Sequence, residues 1–144
     1  MNNIPYIEDI AVGEELPKLE KIVTTRQLVM YAGASGDFYE IHYDQEFAKK
    51  QDLPGVIIHG ALKSAFLGQL MTNWVGMSGN LKSLSVRYRD MDKPGDQLTC
   101  KGIVSAIDIE TGLVSCDIWI ERNDGTKTTT GDASVILPTR ESKS

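Results

Sequence analysis

The stretch Gly60-Ala-Leu-Lys-Ser-Ala-Phe-Leu-Gly-Gln-Leu-Met-Thr-Asn-Trp-Val75 decides the fold. Leu62, Ala65, Phe66, Leu70 and Trp74 recur at helical spacing on one face, while Ala61, Leu67, Met71 and Val75 make the other faces apolar as well. A helix of this kind, roughly 24 Å long at 1.5 Å per residue, has to be surrounded by protein. The longer apolar segment, 56–75, is interrupted by His59, Lys63, Gln69, Thr72 and Asn73. Those side chains are costly in hydrocarbon, so the segment reads as a buried helix and not as a membrane span.

Working outward, the downstream sequence supplies the cover. Leu84, Val86 and Tyr88 alternate with Ser85, Arg87 and Arg89, the period-2 pattern of a half-buried strand, and Pro94-Gly95 breaks it. Leu98 to Ile109 and Leu113 to Ile120 are longer β-rich runs joined across Glu110-Thr111-Gly112, and Asn123-Asp124-Gly125 signals a hairpin before Thr128 to Leu137. With one more strand expected near Leu19 to Val23, the chain predicts an α+β fold, an antiparallel sheet curled around the central helix at about residues 60–75. Upstream, Thr24-Thr25-Arg26-Gln27 reads as a capping box opening a helix through Leu28, Tyr31 and Ala32, which Gly33 and Gly36 are expected to stop. Asp44 is the expected N-cap of a short helix through Phe47 and Ala48, ended by Pro54-Gly55. Neither linker composition nor internal repeats divide the sequence, so it is read as a single domain, 1–144, with a core at about 5–138.

Composition narrows the class. The chain has 144 residues, 41% hydrophobic and 24% charged, enough for one real core. A net charge of −5 without a basic stripe argues against nucleic-acid binding, which needs clustered Lys and Arg to replace counterions. The N-terminal Met1-Asn2-Asn3-Ile4-Pro5 has neither the charged nor the apolar region of a secretory signal. Cys100 and Cys116 lack disulfide or metal-site spacing and are expected to pack as small hydrophobes in a reducing cytoplasm.

Just before the core helix lies a group suited to proton transfer. Ser35-Gly36-Asp37-Phe38-Tyr39-Glu40-Ile41-His42 puts a carboxylate and an imidazole five residues apart in a loop between two helices, and His59-Gly60 then begins the core helix. The imidazole titrates nearest neutral pH and is the natural base. The helix N-terminus can receive a developing oxyanion. A metal site from Asp37, His42, Asp44 and His59 has no supporting Cys cluster or paired-His spacing and is set aside.

These residues resemble the MaoC-type (R)-specific enoyl-CoA hydratase/dehydratase family, whose pattern is small hydroxyl-Gly-Asp-x-Asn-Pro-aliphatic-His ahead of a core helix. Ser35, Gly36, Asp37, Ile41 and His42 match it, and Val56-Ile57-Ile58-His59-Gly60 matches the approach to the helix. Tyr39 and Glu40 stand where the family has Asn and Pro, and Gly68 where it often has a small hydroxyl residue. The resemblance implies a hot-dog fold and reversible hydration of 2-enoyl-CoA to 3-hydroxyacyl-CoA thioesters, without metal or cofactor. It implies His42 and Asp37 as the catalytic pair and the amide of Gly60 as the oxyanion contact, the missing Cβ there giving a substrate close approach. A single curled sheet leaves an edge that is expected to pair with another sheet edge, making a dimer the minimum. The resemblance leaves open a homodimer or a heterodimer with a second hot-dog subunit, as in two-component hydratases acting on steroid side-chain thioesters.

Simpler readings stand beside each residue. Ser35-Gly36-Asp37 is also an ordinary Asx turn, and His42 could satisfy a core hydrogen bond. His59 reads as a brace for the Gly60 turn. Tyr31 and Tyr39 could line an acyl tunnel or pack half-buried. Arg87 and Arg89 could meet coenzyme A phosphates or form a solvated face. A thioesterase is disfavoured because the core helix carries neither Asp nor Glu. A non-catalytic partner subunit is disfavoured by the intact Asp37–His42 spacing and kept open by Tyr39 and Glu40.

Overall fold

A computed structural model describes residues 4–140. Residues 1–3 and 141–144, at the ends of the expected domain, lie outside the described residues. The chain runs β1 (Leu19–Ile22), α1 (Thr25–Ser35), α2 (Gln45–Lys50), α3 (Gly60–Val75), β2 (Asn80–Tyr88), β3 (Gln97–Asp108), β4 (Leu113–Arg122) and β5 (Lys127–Ile136). The strands form one antiparallel sheet in the order β1-β3-β4-β5-β2. The longest helix, α3, lies against β2, β3, β4 and β5. This is the α+β hot-dog arrangement that the sequence predicts.

Alternation builds the inner face of the sheet. Leu98, Cys100 and Val104 of β3, Val114, Cys116, Ile118 and Ile120 of β4, and Ala133 and Val135 of β5 are buried. They share one core with Leu62, Phe66, Leu67, Leu70, Met71 and Val75 of α3. Each of the Val, Leu, Ile, Phe and Met side chains contributes about 1.5–3 kcal/mol relative to exposure. Among the described residues the cover over α3 is not complete, because Ala61, Ala65, Gln69 and Thr72 are exposed. Both cysteines are fully buried, which pushes each thiol up to about 12 and leaves them packing as hydrophobes.

Local chemistry sets the ends of the helices around the site. The Gln27 amide donates to Thr24 Oγ1 at 3.1 Å, which is the N-cap half of the predicted capping box and opens α1. Gly33 does not stop this helix: it continues to Ser35, and Gly36 at φ 78° forms the left-handed cap, donating to Ala32 O. A glycine inside a helix only weakens it, whereas one at C′ meets a conformational need. Asp44 caps α2 by accepting from the Phe47 amide, but α2 ends at Lys50 and the chain turns through Asp52 at φ 60°, ahead of Pro54-Gly55. Strand β2 begins at Asn80, before the predicted alternation, with an irregularity between Leu81 and Ser83.

A buried ion pair joins α3 to the β2–β3 connection. Lys63 Nζ donates to Asp92 Oδ2 and to the Asp90 carbonyl, both at 3.0 Å. Asp92 also accepts from Thr128 Oγ1 at 2.6 Å and lies 3.5 Å from Arg122. Lys63 is 2% and Asp92 0% exposed. The Asp92 carbonyl in turn accepts from the Ile58 amide at 2.9 Å, which fixes the strand-like approach to Gly60.

Candidate active site

The loop after α1 is wound tightly by its own side chains. Ser35 Oγ donates to Tyr31 O and accepts from the Asp37 amide at 3.2 Å. Asp37 Oδ1 accepts from the Tyr39 amide at 3.4 Å, the Asx turn expected of this sequence. A single 3-10 turn over Glu40–His42 follows, with Tyr43 Oη donating back to Phe38 O. The absent Asn and Pro are therefore replaced by other local bonds that still compact the loop.

His42 is drawn inward by the 56–58 segment. The Ile57 amide donates to Ile41 O at 3.0 Å, and His42 Nδ1 lies 2.8 Å from Ile57 O. A carbonyl only accepts, so Nδ1 carries the proton and the lone pair of neutral His42 is on Nε2. Nε2 is 3.9 Å from Asp37 Oδ2. The Asp37 side chain is 47% exposed and that of His42 is 8% exposed. The separation is too long for a direct hydrogen bond and leaves room for a small group beside the imidazole and the carboxylate.

His59 stands closer to this pair than the sequence reading placed it. It is fully buried at the N-cap of α3. Its ring stacks on that of His42 with centroids 3.8 Å apart and planes 21° apart. Nε2 faces the Asp37 carbonyl at 3.4 Å, while Nδ1 is buried and has no partner among the described residues. Burial first, and the nearby His42 second, hold its pKa below the usual histidine value. Its position one residue before Gly60 was the available signal, since an N-cap side chain lies beside the first turn.

Gly60 starts α3, whose N-cap makes no side-chain hydrogen bond to the first turn. First-turn amides have no intrahelical acceptor, so they are available to an oxyanion. The missing Cβ serves a different purpose from the one expected. A Cβ on Gly60 would lie 2.8 Å from Tyr88 Cζ, so the space is filled by the Tyr88 ring and not left for a substrate. Tyr88 Oη is 2.6 Å from Ser64 Oγ. Its place in phase with Leu84 and Val86 was the signal for this contact.

The remaining candidates separate. Tyr31 packs edge-on to His59, with centroids 4.9 Å apart. Tyr39 is half exposed and meets His42 and Phe47 edge-on. Asp44 is occupied as a helix cap. Arg89 donates to Thr130 Oγ1 at 3.1 Å in an exposed bond. Asp37, His42 and His59 bring donor atoms within 4.8 Å of one another. Imidazole lone pairs lie in the ring planes, and two nearly parallel stacked rings direct them side by side more than toward one point. The group therefore suits proton handling better than ligation.

Comparisons with known proteins agree with this architecture. A family model described as MaoC like domain matches residues 10–115. The fatty acid synthase subunit beta of Saccharomyces cerevisiae is 29% identical over 110 residues, covering 75% of this chain and only 5% of that protein. The 3-oxo-4,17-pregnadiene-20-carboxyl-CoA hydratase beta subunit of Mycobacterium tuberculosis is 28% identical over 134 residues, covering 91% of this chain and 98% of the subunit. The R-hydratase PhaJ1 structure from Pseudomonas aeruginosa has a TM-score of 0.86 at 20% identity, covering 94% of this chain and 86% of that one, a likeness in fold. No helix among the described residues is long and apolar enough to cross a membrane. With the matched span containing Asp37, His42, His59 and Gly60, the chain belongs to the MaoC like domain family.

Proposed function

We propose that the chain catalyses reversible addition of water to 2-enoyl-CoA thioesters, giving 3-hydroxyacyl-CoA thioesters. The carrying observation is the Nδ1–Ile57 hydrogen bond, which leaves His42 Nε2 as a lone pair facing the Asp37 carboxylate across 3.9 Å. In the hydration direction, a water held there loses a proton to His42 as its oxygen bonds to C3. The C2–C3 double-bond electrons move toward the thioester, whose oxygen is received by the Gly60 amide at the positive end of α3. The proton that His42 has taken then passes to C2, directly or by way of the Asp37 carboxylate that also orients the water, so that H and OH are both added and His42 returns to its neutral form. Dehydration is the same path reversed. The family match and the Mycobacterium tuberculosis hydratase subunit support acyl-CoA as the substrate class.

The site lies open beside exposed Phe38, Tyr39 and Tyr43, and α3 keeps an uncovered face. Exposed apolar groups around a site mark an interaction surface, so we assign the cover to a second hot-dog subunit, identical or different. The single-domain reading of 1–144 belongs to this proposal, and so does a cytoplasmic setting.

The test follows loss of enoyl-thioester absorbance with short, medium and steroid-like acyl-CoAs. His42→Ala and Asp37→Asn should each slow hydration by at least about 10²-fold, the low end for a positioned acid or base, with a native circular dichroism spectrum. Rates near wild type in both would remove the pair from the mechanism. A folded wild type that acts on none of the thioesters alone, and gains activity only with another hot-dog chain, would make it the partner subunit.

A further inference from the structure

We infer that His59 is the positioning residue of the acid–base pair, setting the ring of His42 by stacking and the loop at Asp37 by a hydrogen bond to its carbonyl. This rests on the Asp37–His42 reading above and deepens it. The His59 ring is flat against His42 at 3.8 Å and 21°, so rotation of His42 about its side-chain torsions would drive one ring into the other. Tyr31 also packs edge-on against His59 at 4.9 Å, closing a three-ring cluster from α1 to the 3-10 turn. The same His59 adjoins Gly60, so base, carboxylate loop and oxyanion amide are referred to one buried side chain.

Two further observations favour a functional part over a purely structural one. A buried acceptor without a partner is destabilising, and among the described residues His59 Nδ1 has none; a phenyl ring would fill this place without it. Burial and the neighbouring His42 also hold the His59 pKa below the ordinary histidine value, which disfavours a second positive charge 3.8 Å from a protonated His42. The long 3.4 Å approach to Asp37 O makes the stacked face the larger part of the effect.

The chain has only two histidines, so a His59 variant leaves one imidazole in the nitrogen-15 spectrum. Hydration kinetics and imidazole tautomer would be measured for the full chain, His42→Ala, His59→Ala, His59→Phe and His59→Gln. His59→Ala should lower kcat by about 10²-fold, the scale of a small misplacement of reacting groups, with KM little changed. Its His42 should shift from a single Nδ1–H tautomer to a mixture. His59→Phe, which keeps a flat ring, should be more active than His59→Gln and retain the tautomer, a comparison that also decides the matter if the alanine variant does not fold. Wild-type kcat and tautomer in His59→Ala, or Gln outperforming Phe, overturns the inference while an inactive His42→Ala leaves the pair intact. A fully active His42→Ala overturns both.

Discussion

Lys63→Met should be among the more damaging single substitutions in the core helix, although it exchanges a charged residue for an apolar one in an apolar setting. The reason is the group left behind. Asp92, 0% exposed, would lose the ammonium at 3.0 Å and keep Thr128 at 2.6 Å and Arg122 at 3.5 Å. Breaking a buried pair typically costs about 3–5 kcal/mol, against roughly 0–1 kcal/mol for a surface pair. The remaining partners place Lys63→Met near the lower end, about 3 kcal/mol. Asp92→Asn strands the lysine among neutral acceptors at short range, and should fall near about 5 kcal/mol. With an unfolding entropy of about 0.3 kcal/mol per degree for a chain of this length, the midpoints should drop by roughly 10–17 °C. The double variant removes both charges, while the asparagine introduced at position 92 can still accept from Thr128, and should recover most of the loss. Urea and thermal unfolding of the four proteins give the coupling energy directly. Single variants costing under about 1 kcal/mol, or losses that simply add, would show that water reaches the pair and refute the reasoning.

Other outcomes are equally checkable. Gly60→Ala should cost about 1–3 kcal/mol from overpacking against Tyr88, and much less when combined with Tyr88→Ala, as urea titration would show. The folded chain resists protonating His59 more than the unfolded chain does. The unfolded state then binds more protons below about pH 6.5, so this contribution is complete above that pH and is lost as pH falls toward the folded value; His59→Phe should flatten that limb of the stability profile. Reverting Tyr39 to Asn and Glu40 to Pro should shift preference toward shorter acyl chains, and an unchanged chain-length profile counts against a role for these residues in admitting bulky groups.

The parts of the fold visible in the sequence are those fixed by short-range patterning. The apolar sweep of 60–75, the alternation in β3 and β4, and the caps at Thr24 and Asp44 each depend on neighbours within a turn or two, and the structure has all of them. Asp37 and His42 were legible for the same reason, being five residues apart. What was missed depends on long-range approach. Lys63 looked like an interruption of an apolar face because its counter-ion is 29 positions away in the β2–β3 connection. The stacking of His59 on His42 needs the 56–58 segment to lie against residue 41, which no local spacing encodes. Gly60 was read as room for substrate because Tyr88, which fills that room, arrives from a strand edge.

The strand order has a consequence for how the chain is made. Strand β2 is synthesised before β3, β4 and β5 yet pairs with the last of them, Leu84 opposite Ala133 and Val86 opposite Gly131. On the ribosome, α3 and β2 are therefore complete while the surface that buries them has still to emerge, and their apolar faces are open to wrong partners throughout that interval. The docking is unforgiving when it comes: a Cβ on Gly131 would lie 2.0 Å from Ser85 O. A chain cut after Arg122 should aggregate on expression, whereas adding residues 123–140 should restore a soluble product. The β4–β5 hairpin thus completes the cover of β2, and slowing translation before it should lower the yield of folded protein more than slowing translation after it.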